Sequence, residues 1–95
     1  MVVRINEVRP IEAHEYTDRQ GLQQVFKSKG FNLQVSEGSI FAEAFGDLAE
    51  GLDKLEIKSG DCALTQLSCN ARPYTTKDGV SRVTNEFTIT KMTLL

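Results

Sequence analysis

IFAEAFGDLAEGLDKLEIKSGD, residues 40–61, changes its hydrophobic period halfway along its length. Residues 40–45 alternate between two faces, which is the pattern of a strand. After them the leucines recur at i, i+4 and i+7, the stripe of an amphipathic helix. These leucines are Leu48, Leu52 and Leu55. Asp47 in the N-cap position, with Glu50 three residues later, predicts a helix over 47–57.

The rest of the chain is predicted to form strands joined by polar turns. Alternation predicts four further strands, over residues 2–11, 24–35, 62–71 and 82–92. Pro10 breaks the first of these, and Gly30 indicates a bulge in the second. The polar stretch 14–21 is predicted to be a loop. Lys77-Asp78-Gly79 carries the Asp-Gly signal of a hairpin tip.

The resulting order is three strands, one helix and two strands. This order is typical of the OB fold, a five-stranded, partly open Greek-key barrel. An SH3-like barrel lacks so clear a helix, and a ferredoxin-like fold needs a second one. The sequence therefore predicts an all-β OB fold with one short helix between strands 3 and 4, forming a single domain over residues 1–95.

Composition and charge leave nucleic-acid binding open and argue against a membrane-spanning or secreted protein. The net charge is −2, but residues 43–61 hold six acidic and two basic residues, so the remainder sums to +2. This asymmetry permits a modest basic face. No apolar run approaches the roughly 20 residues that cross a bilayer, and the charged N-terminus is unlike a secretory signal. We expect a cytoplasmic protein with no membrane partner.

The chain offers little for catalysis or metal binding. Cys62 and Cys69 stand seven residues apart in one predicted strand, so they face opposite sides and cannot pair with each other there. We expect two reduced, partly buried thiols. His14 is the only histidine and lies far away in sequence, which disfavours zinc. Without a phosphate-binding loop, dinucleotide fingerprint or nucleophile elbow, we predict no enzyme activity, cofactor or small-molecule substrate.

Two runs of sequence resemble the bacterial single-stranded DNA-binding proteins. In residues 41–61 the matching pieces are Phe45-Gly46, Leu48-Ala49-Glu50 and Lys58-Ser59-Gly60-Asp61. In residues 71–95 they are Arg72-Pro73-Tyr74, Lys77-Asp78-Gly79, Arg82 and Thr84-Asn85-Glu86-Phe87. The resemblance spans about 55 residues. It implies single-stranded DNA binding in replication, repair and recombination, by a dimer or tetramer.

Two variants of this family fit the chain. One is a member whose flexible, acidic tail, which typically recruits partners, is either naturally absent or has been removed, and the other is a primosomal replication protein N-like member. Recruitment through such a tail is not predicted for this chain.

Sequence-tolerant DNA binding needs flat aromatic surfaces for bases. Phe41 and Phe45 share one face of the predicted third strand, and Glu43 lies between them. A carboxylate is costly inside a barrel, so this face is predicted to point outward. By resemblance, Phe45 and Tyr74 occupy the family's positions for base-stacking aromatics. The alternative is that the two phenylalanines are core residues and Tyr74 only covers the base of a hairpin.

Cations are needed for the phosphates. The candidates that surround Tyr74 are Arg72, Lys77 and Arg82, and two more on strand two are Lys27 and Lys29. Phe26 is a further possible stacker whose alternation is ambiguous. Leu64 is predicted to face outward, where it fits a homo-oligomer interface. The acidic balance and Glu43 leave one alternative function open, a protein-interaction module of OB type without nucleic-acid binding.

Overall fold

The computed structural model describes all residues 1–95 as six strands and one helix. The elements are β1 (Val2–Val8), β2 (Glu12–Thr17), β3 (Gln23–Val35), β4 (Gly38–Phe45), α1 (Gly46–Lys54), β5 (Cys62–Thr75) and β6 (Ser81–Leu94). The helix is the only one and is too short to cross a membrane.

Five of the strands close into a barrel. The order along the sheet is β1-β5-β6-β4-β3-β2, and β1 also pairs with β3. The ring is therefore β1, β5, β6, β4 and β3, with one parallel contact between β4 and β6. This closure pairs the strands of the ring on both sides, while β2 lies outside the ring and keeps one free edge. The chain has the OB fold, as the order of its elements predicts.

A small apolar core fills the barrel. Its twelve buried side chains come from every strand of the ring and from the helix. Phe31, Leu33 and Ile5 are the largest of them and are completely buried. Ala42 and Ala44 are also fully buried, so β4 lies close to the barrel interior. Small inward residues on this strand leave the space that the larger ones opposite occupy.

The first predicted strand is wrong in its extent, because the chain divides at Pro10 into β1 and β2. Residues 14–17, predicted as loop, belong to β2 and make four of the six residue pairs that join β2 to the start of β3. Almost every side chain of β2 is exposed. A strand exposed on both faces has no hydrophobic alternation, which is why the sequence pattern resembled a loop.

The helix is shorter than predicted and begins differently. Phe45, not Asp47, is the N-cap residue, and no side chain caps the helix. Gly46 has φ of +62°, a conformation that glycine adopts without strain, and this turns the strand directly into the helix. Asp47 thus lies inside the first turn, where its charge still favours the helix dipole. Leu55 lies at the exposed C-terminal end, and Ile57 is buried instead.

The two cysteines differ from expectation as well. Both are free, as predicted, but both are exposed and not partly buried. Cys69 lies after a register shift between Gln66 and Leu67, where β5 starts to leave the barrel. No group of three or more potential metal ligands forms anywhere in the structure.

Two ion pairs attach the helix to β3. Lys29 is only 7% exposed at its side chain, and its Nζ lies 2.9 Å from Asp53 Oδ1 and 3.0 Å from the carbonyl oxygen of Arg9. Lys27 Nζ lies 2.9 Å from Glu50 Oε1 at the surface. Through its hydrogen bond and charge, Lys27 lowers the pKa of Glu50, and Glu50 correspondingly raises the pKa of Lys27.

Loss of the Asp53 carboxylate should destabilise the barrel. Asp53→Ala leaves a buried ammonium without its counter-charge, and because water can still reach Asp53, we expect the free energy of unfolding to fall by about 1–2 kcal/mol. Urea denaturation followed by circular dichroism measures this. Asp47→Ala is the control, because Asp47 lies in the same helix and makes no capping hydrogen bond. This substitution should change the free energy of unfolding by less than about 0.5 kcal/mol. Equal effects of the two substitutions would contradict this role of the buried pair.

Candidate nucleic-acid interface

The outer face of β4 carries exposed aromatic rings. Phe41 is 50% and Phe45 43% exposed, while the intervening alanines are buried. The predicted outward orientation of both phenylalanines is confirmed. Glu43 lies between them and is half-buried. The two rings add exposed apolar surface on one face of a single strand, and contiguous exposed apolar patches are typical of binding surfaces.

This face continues without interruption onto the hairpin of β5 and β6. Glu43 is paired with Thr88 of β6, and paired residues of neighbouring strands lie on the same face. Glu86 precedes Thr88 on β6 by two residues and Thr84 precedes it by four. Their side chains therefore also lie on this face. Thr84 is paired with Arg72 of β5.

Tyr74 and Arg82 extend the same face toward the tip of the hairpin. They are directly opposite each other, two residues beyond Arg72 and Thr84. From Cys69 on β5 to Glu86 on β6 nearly every residue is exposed, so this part of the hairpin projects beyond the core. Tyr74 thus stands on the same continuous face as the two phenylalanines.

A groove of about 580 Å³ lies where the barrel meets the hairpin. Its walls include Phe41, Glu43, Phe45, Arg72, Glu86 and Phe87. A shallower depression beside it is lined by Arg72, Tyr74, Thr84 and Glu86. Arg72 borders both, so the two form one continuous surface from β4 to the hairpin. We refer to this surface as the outer groove.

The charge of the outer groove is balanced and not strongly basic. Arg72 Nη1 lies 3.1 Å from Glu86 Oε1, and both side chains are exposed. Lys77 at the tip and Arg82 are exposed and make no ion pair. Glu43 adds a negative charge at the floor. The phosphates of a ligand would thus contact the unpaired Lys77 and Arg82 on the hairpin, and the ion pair of Arg72 with Glu86 at the base of the hairpin.

The two lysines predicted on β3 lie elsewhere. Both point to the helix, on the face of β3 opposite to the outer groove. Lys29 is buried against Asp53, so its prediction as a phosphate contact is corrected: its ammonium holds the helix to the barrel. Lys27 is exposed but paired with Glu50, and the structure does not bring it together with the aromatic residues.

Three aromatic side chains near this face were missed or left undecided by the sequence pattern. Phe26 stacks on His14 at 4.8 Å between ring centroids and meets the edge of Tyr16 at 5.7 Å. It also lies 6.4 Å from Phe45. His14 and Tyr16 fall in the stretch predicted as loop. The signal that could have found them is the pair of aromatic residues itself, since large rings are uncommon in a solvated loop.

Gly30 explains how Phe41 is held. A methyl group built on Gly30 would lie 2.5 Å from Phe41 Cζ, so the ring of Phe41 rests directly on the glycine backbone. Pairing between β3 and β4 is regular through Gly30, and the predicted bulge at this position is absent. The glycine provides room for an aromatic ring that covers it from the neighbouring strand.

Comparison with known proteins agrees with this architecture. Neither a protein-family model nor a curated protein matches the sequence. Among solved structures, the second OB-fold domain of replication protein A from Methanococcus maripaludis is similar, with a TM-score of 0.58 and 16% identity over 99% of this chain and 79% of that one. The mitochondrial single-stranded DNA-binding protein Rim1 of S. cerevisiae gives a TM-score of 0.60 and 14% identity, covering 100% of this chain and 90% of the other.

At these identities the similarity establishes the OB fold alone. Both similar structures are OB-fold domains of proteins of the replication protein A or single-stranded DNA-binding type. Membership of the bacterial single-stranded DNA-binding family does not follow from them.

The contact between Phe41 and Gly30 can be tested directly. Because the ring covers the glycine, ring-current shielding should move the Gly30 α-proton resonances upfield in the NMR spectrum. Phe41→Leu should return them to ordinary values, whereas Phe45→Leu should leave them nearly unchanged. Unshifted Gly30 resonances in the unmodified protein would contradict the packing described here.

Proposed function

We propose that this chain binds single-stranded DNA without reading its sequence, by stacking bases on the exposed rings of the outer groove. The rings are Phe41, Phe45 and Tyr74. The observation that carries the proposal is that strand register places all three on one face, with an open groove between the barrel and the hairpin. Every base has a flat π-surface, so stacking on aromatic rings tolerates any sequence.

Phosphate contacts come from the hairpin in this proposal. Lys77 and Arg82 are free cations, and Arg72 can exchange its contact with Glu86 for a phosphate because both side chains are exposed. An exposed ion pair contributes little to stability, so its exchange costs little. The balanced charge means that base stacking supplies most of the affinity and the cations a smaller part.

The similar solved structures support this choice of ligand. One belongs to replication protein A and the other is a mitochondrial single-stranded DNA-binding protein. We extend the proposal to a role in DNA replication, repair and recombination, in the cytoplasm, for a chain of the bacterial single-stranded DNA-binding type or of the primosomal replication protein N-like type. No cofactor or enzymatic step belongs to it.

Fluorescence anisotropy with labelled oligo-dT tests the site. Phe45→Ala and Tyr74→Ala each remove one stacking ring and should weaken binding by about 5- to 150-fold, the equivalent of 1–3 kcal/mol per stacked base. Val83→Ala is the matched control, because Val83 is exposed on the other face of the same hairpin. It should bind like the unmodified protein.

The same titrations separate the roles of charge and stacking. If Arg72, Lys77 and Arg82 each contact a phosphate, the logarithm of the affinity should fall against the logarithm of salt concentration with a slope of about −2. No binding even at low salt would contradict DNA binding and favour the protein-interaction alternative, for which Glu43 and Glu86 on this face are the supporting observation. Binding that survives both aromatic substitutions would refute the choice of site.

We further propose that the chain forms homo-oligomers through the outer surface of β1 and β5. Leu64 is 51% exposed, and Val2, its direct partner across the two strands, is 64% exposed. The two side chains form an apolar pair on the outside of the barrel, away from the outer groove. Burying such a pair between subunits stabilises association by removing apolar surface from water.

Sedimentation velocity tests this assembly. Leu64→Glu places a charge in the proposed interface and should convert dimers or tetramers into monomers. Leu55→Glu changes an equally exposed leucine at the end of the helix and should leave the assembly intact. A monomer for the unmodified protein at high concentration would rule out the proposed interface.

A further inference from the structure

Glu43 is a carboxylate without a partner at the floor of the outer groove. Its side chain is half-buried and lies between Phe41 and Phe45 on the outer face of β4. It takes part in none of the ion pairs and none of the side-chain hydrogen bonds of the protein. Thr65 Oγ1 is the only buried side-chain polar atom without a hydrogen-bond partner. The carboxylate oxygens of Glu43 are therefore open to solvent, and a ligand in the groove can reach them.

The larger, 580 Å³ part of the outer groove holds more negative than positive charge. Of the side chains that line it, Glu43 and Glu86 are acidic and Arg72 alone is basic. Because Arg72 Nη1 already lies 3.1 Å from Glu86 Oε1, the charge of Glu43 is left without compensation. This position repels a phosphate, so a bound strand must turn its bases toward Glu43 and its phosphates outward to the hairpin.

The two phenylalanine rings bring bases within reach of this carboxylate. Residues two apart on a strand are separated by about 7 Å, so Glu43 lies about that far along β4 from Phe41 and from Phe45. A base that stacks on either ring can present its unpaired Watson–Crick edge to the carboxylate. The same base displaces water from Glu43, and a carboxylate that loses water without gaining hydrogen-bond donors is costly.

The chemistry of a carboxylate distinguishes between the bases. It only accepts hydrogen bonds, and its two oxygens can accept two of them side by side. Of the four DNA bases, guanine alone has two adjacent donors on its Watson–Crick edge, N1–H and N2–H. Adenine and cytosine each place one amino donor beside a ring nitrogen that accepts, and thymine has one N–H between two carbonyl oxygens. A pair of charge-assisted hydrogen bonds is thus available to guanine only.

We infer that Glu43 selects guanine at one position of the strand bound in the outer groove, by accepting hydrogen bonds from its N1–H and N2–H groups. The inference rests on the proposed function, since it adds a base preference to the stacking of single-stranded DNA. Stacking on the rings still accepts every base, so the preference concerns one nucleotide and the other positions stay sequence-tolerant. Glu43 is then a specificity-determining residue and not only a charge that repels phosphate.

Hypoxanthine, the base of deoxyinosine, separates these hydrogen bonds from stacking. It is guanine without the N2 amino group, so it keeps both purine rings and loses one of the two donors. Fluorescence anisotropy compares two labelled strands of about 12 nucleotides, a length within the range of OB-fold sites, in which thymine alternates with guanine or with hypoxanthine. The unmodified protein should bind the guanine strand about 5-fold or more tightly than the hypoxanthine strand.

Glu43→Gln removes the pair of acceptors and keeps the size of the side chain. The amide places a donor where guanine needs an acceptor, so the preference for guanine over hypoxanthine should fall below about 2-fold. Glu86→Gln is the matched control, because it removes the same charge from the same groove. It frees Arg72 from its partner and should raise the affinity for both strands alike, with the guanine preference unchanged. Circular dichroism of both variants checks that the fold is kept.

The outcomes distinguish the two proposals. If the unmodified protein binds both strands equally well, or if Glu43→Gln keeps the preference for guanine, the role of Glu43 is wrong while stacking in the outer groove stands. If Glu86→Gln abolishes the preference as well, the preference comes from the charge of the groove and the inference is overturned. If neither these strands nor oligo-dT bind the unmodified protein, the proposed function fails and the base preference with it.

Discussion

The register between β3 and β4 is the constraint on which the rest of the structure depends. Eight residue pairs fix it, and a slip of one residue would exchange the two faces of β4. In the observed register the alanines enter the core, and the phenylalanines and Glu43 face solvent. Burial of that carboxylate beside apolar side chains would be costly, so the same alternation that packs the barrel also creates the aromatic surface.

The two hairpins are possible because the core does not need them. The buried apolar residues occupy the barrel, the helix and, at Ile57, the segment after the helix, and the outer halves of the β2–β3 and β5–β6 hairpins contribute none. Their side chains are therefore free to serve contacts with a ligand. The ion pair of Lys29 with Asp53 has the opposite role, since it attaches the helix to the barrel wall and removes a cation from the surface.

The sequence alone predicts those strands and the helix that have one buried and one exposed face. Alternation along residues 40–45 correctly placed Phe41 and Phe45 outside, and the change of period at residue 46 located the helix. It failed where burial is absent, as in β2, whose residues carry no apolar pattern. It also failed for Lys29, because nothing in a strand pattern shows that a helix from later in the chain will cover one lysine and supply Asp53. Phe26 stayed undecided because its partners lie in the strand that was missed.

The openness of the outer groove also bears on how a polymer could enter it. Phe41, Phe45 and Tyr74 are all exposed, and every residue that lines the outer groove belongs to β4, β5 or β6, so none comes from a loop. A strand can therefore be laid in from the side at any internal position, and no free end has to be threaded. Under the proposed function, a closed single-stranded circle would be as acceptable a ligand as a linear fragment, and many copies could load along one long strand in any order.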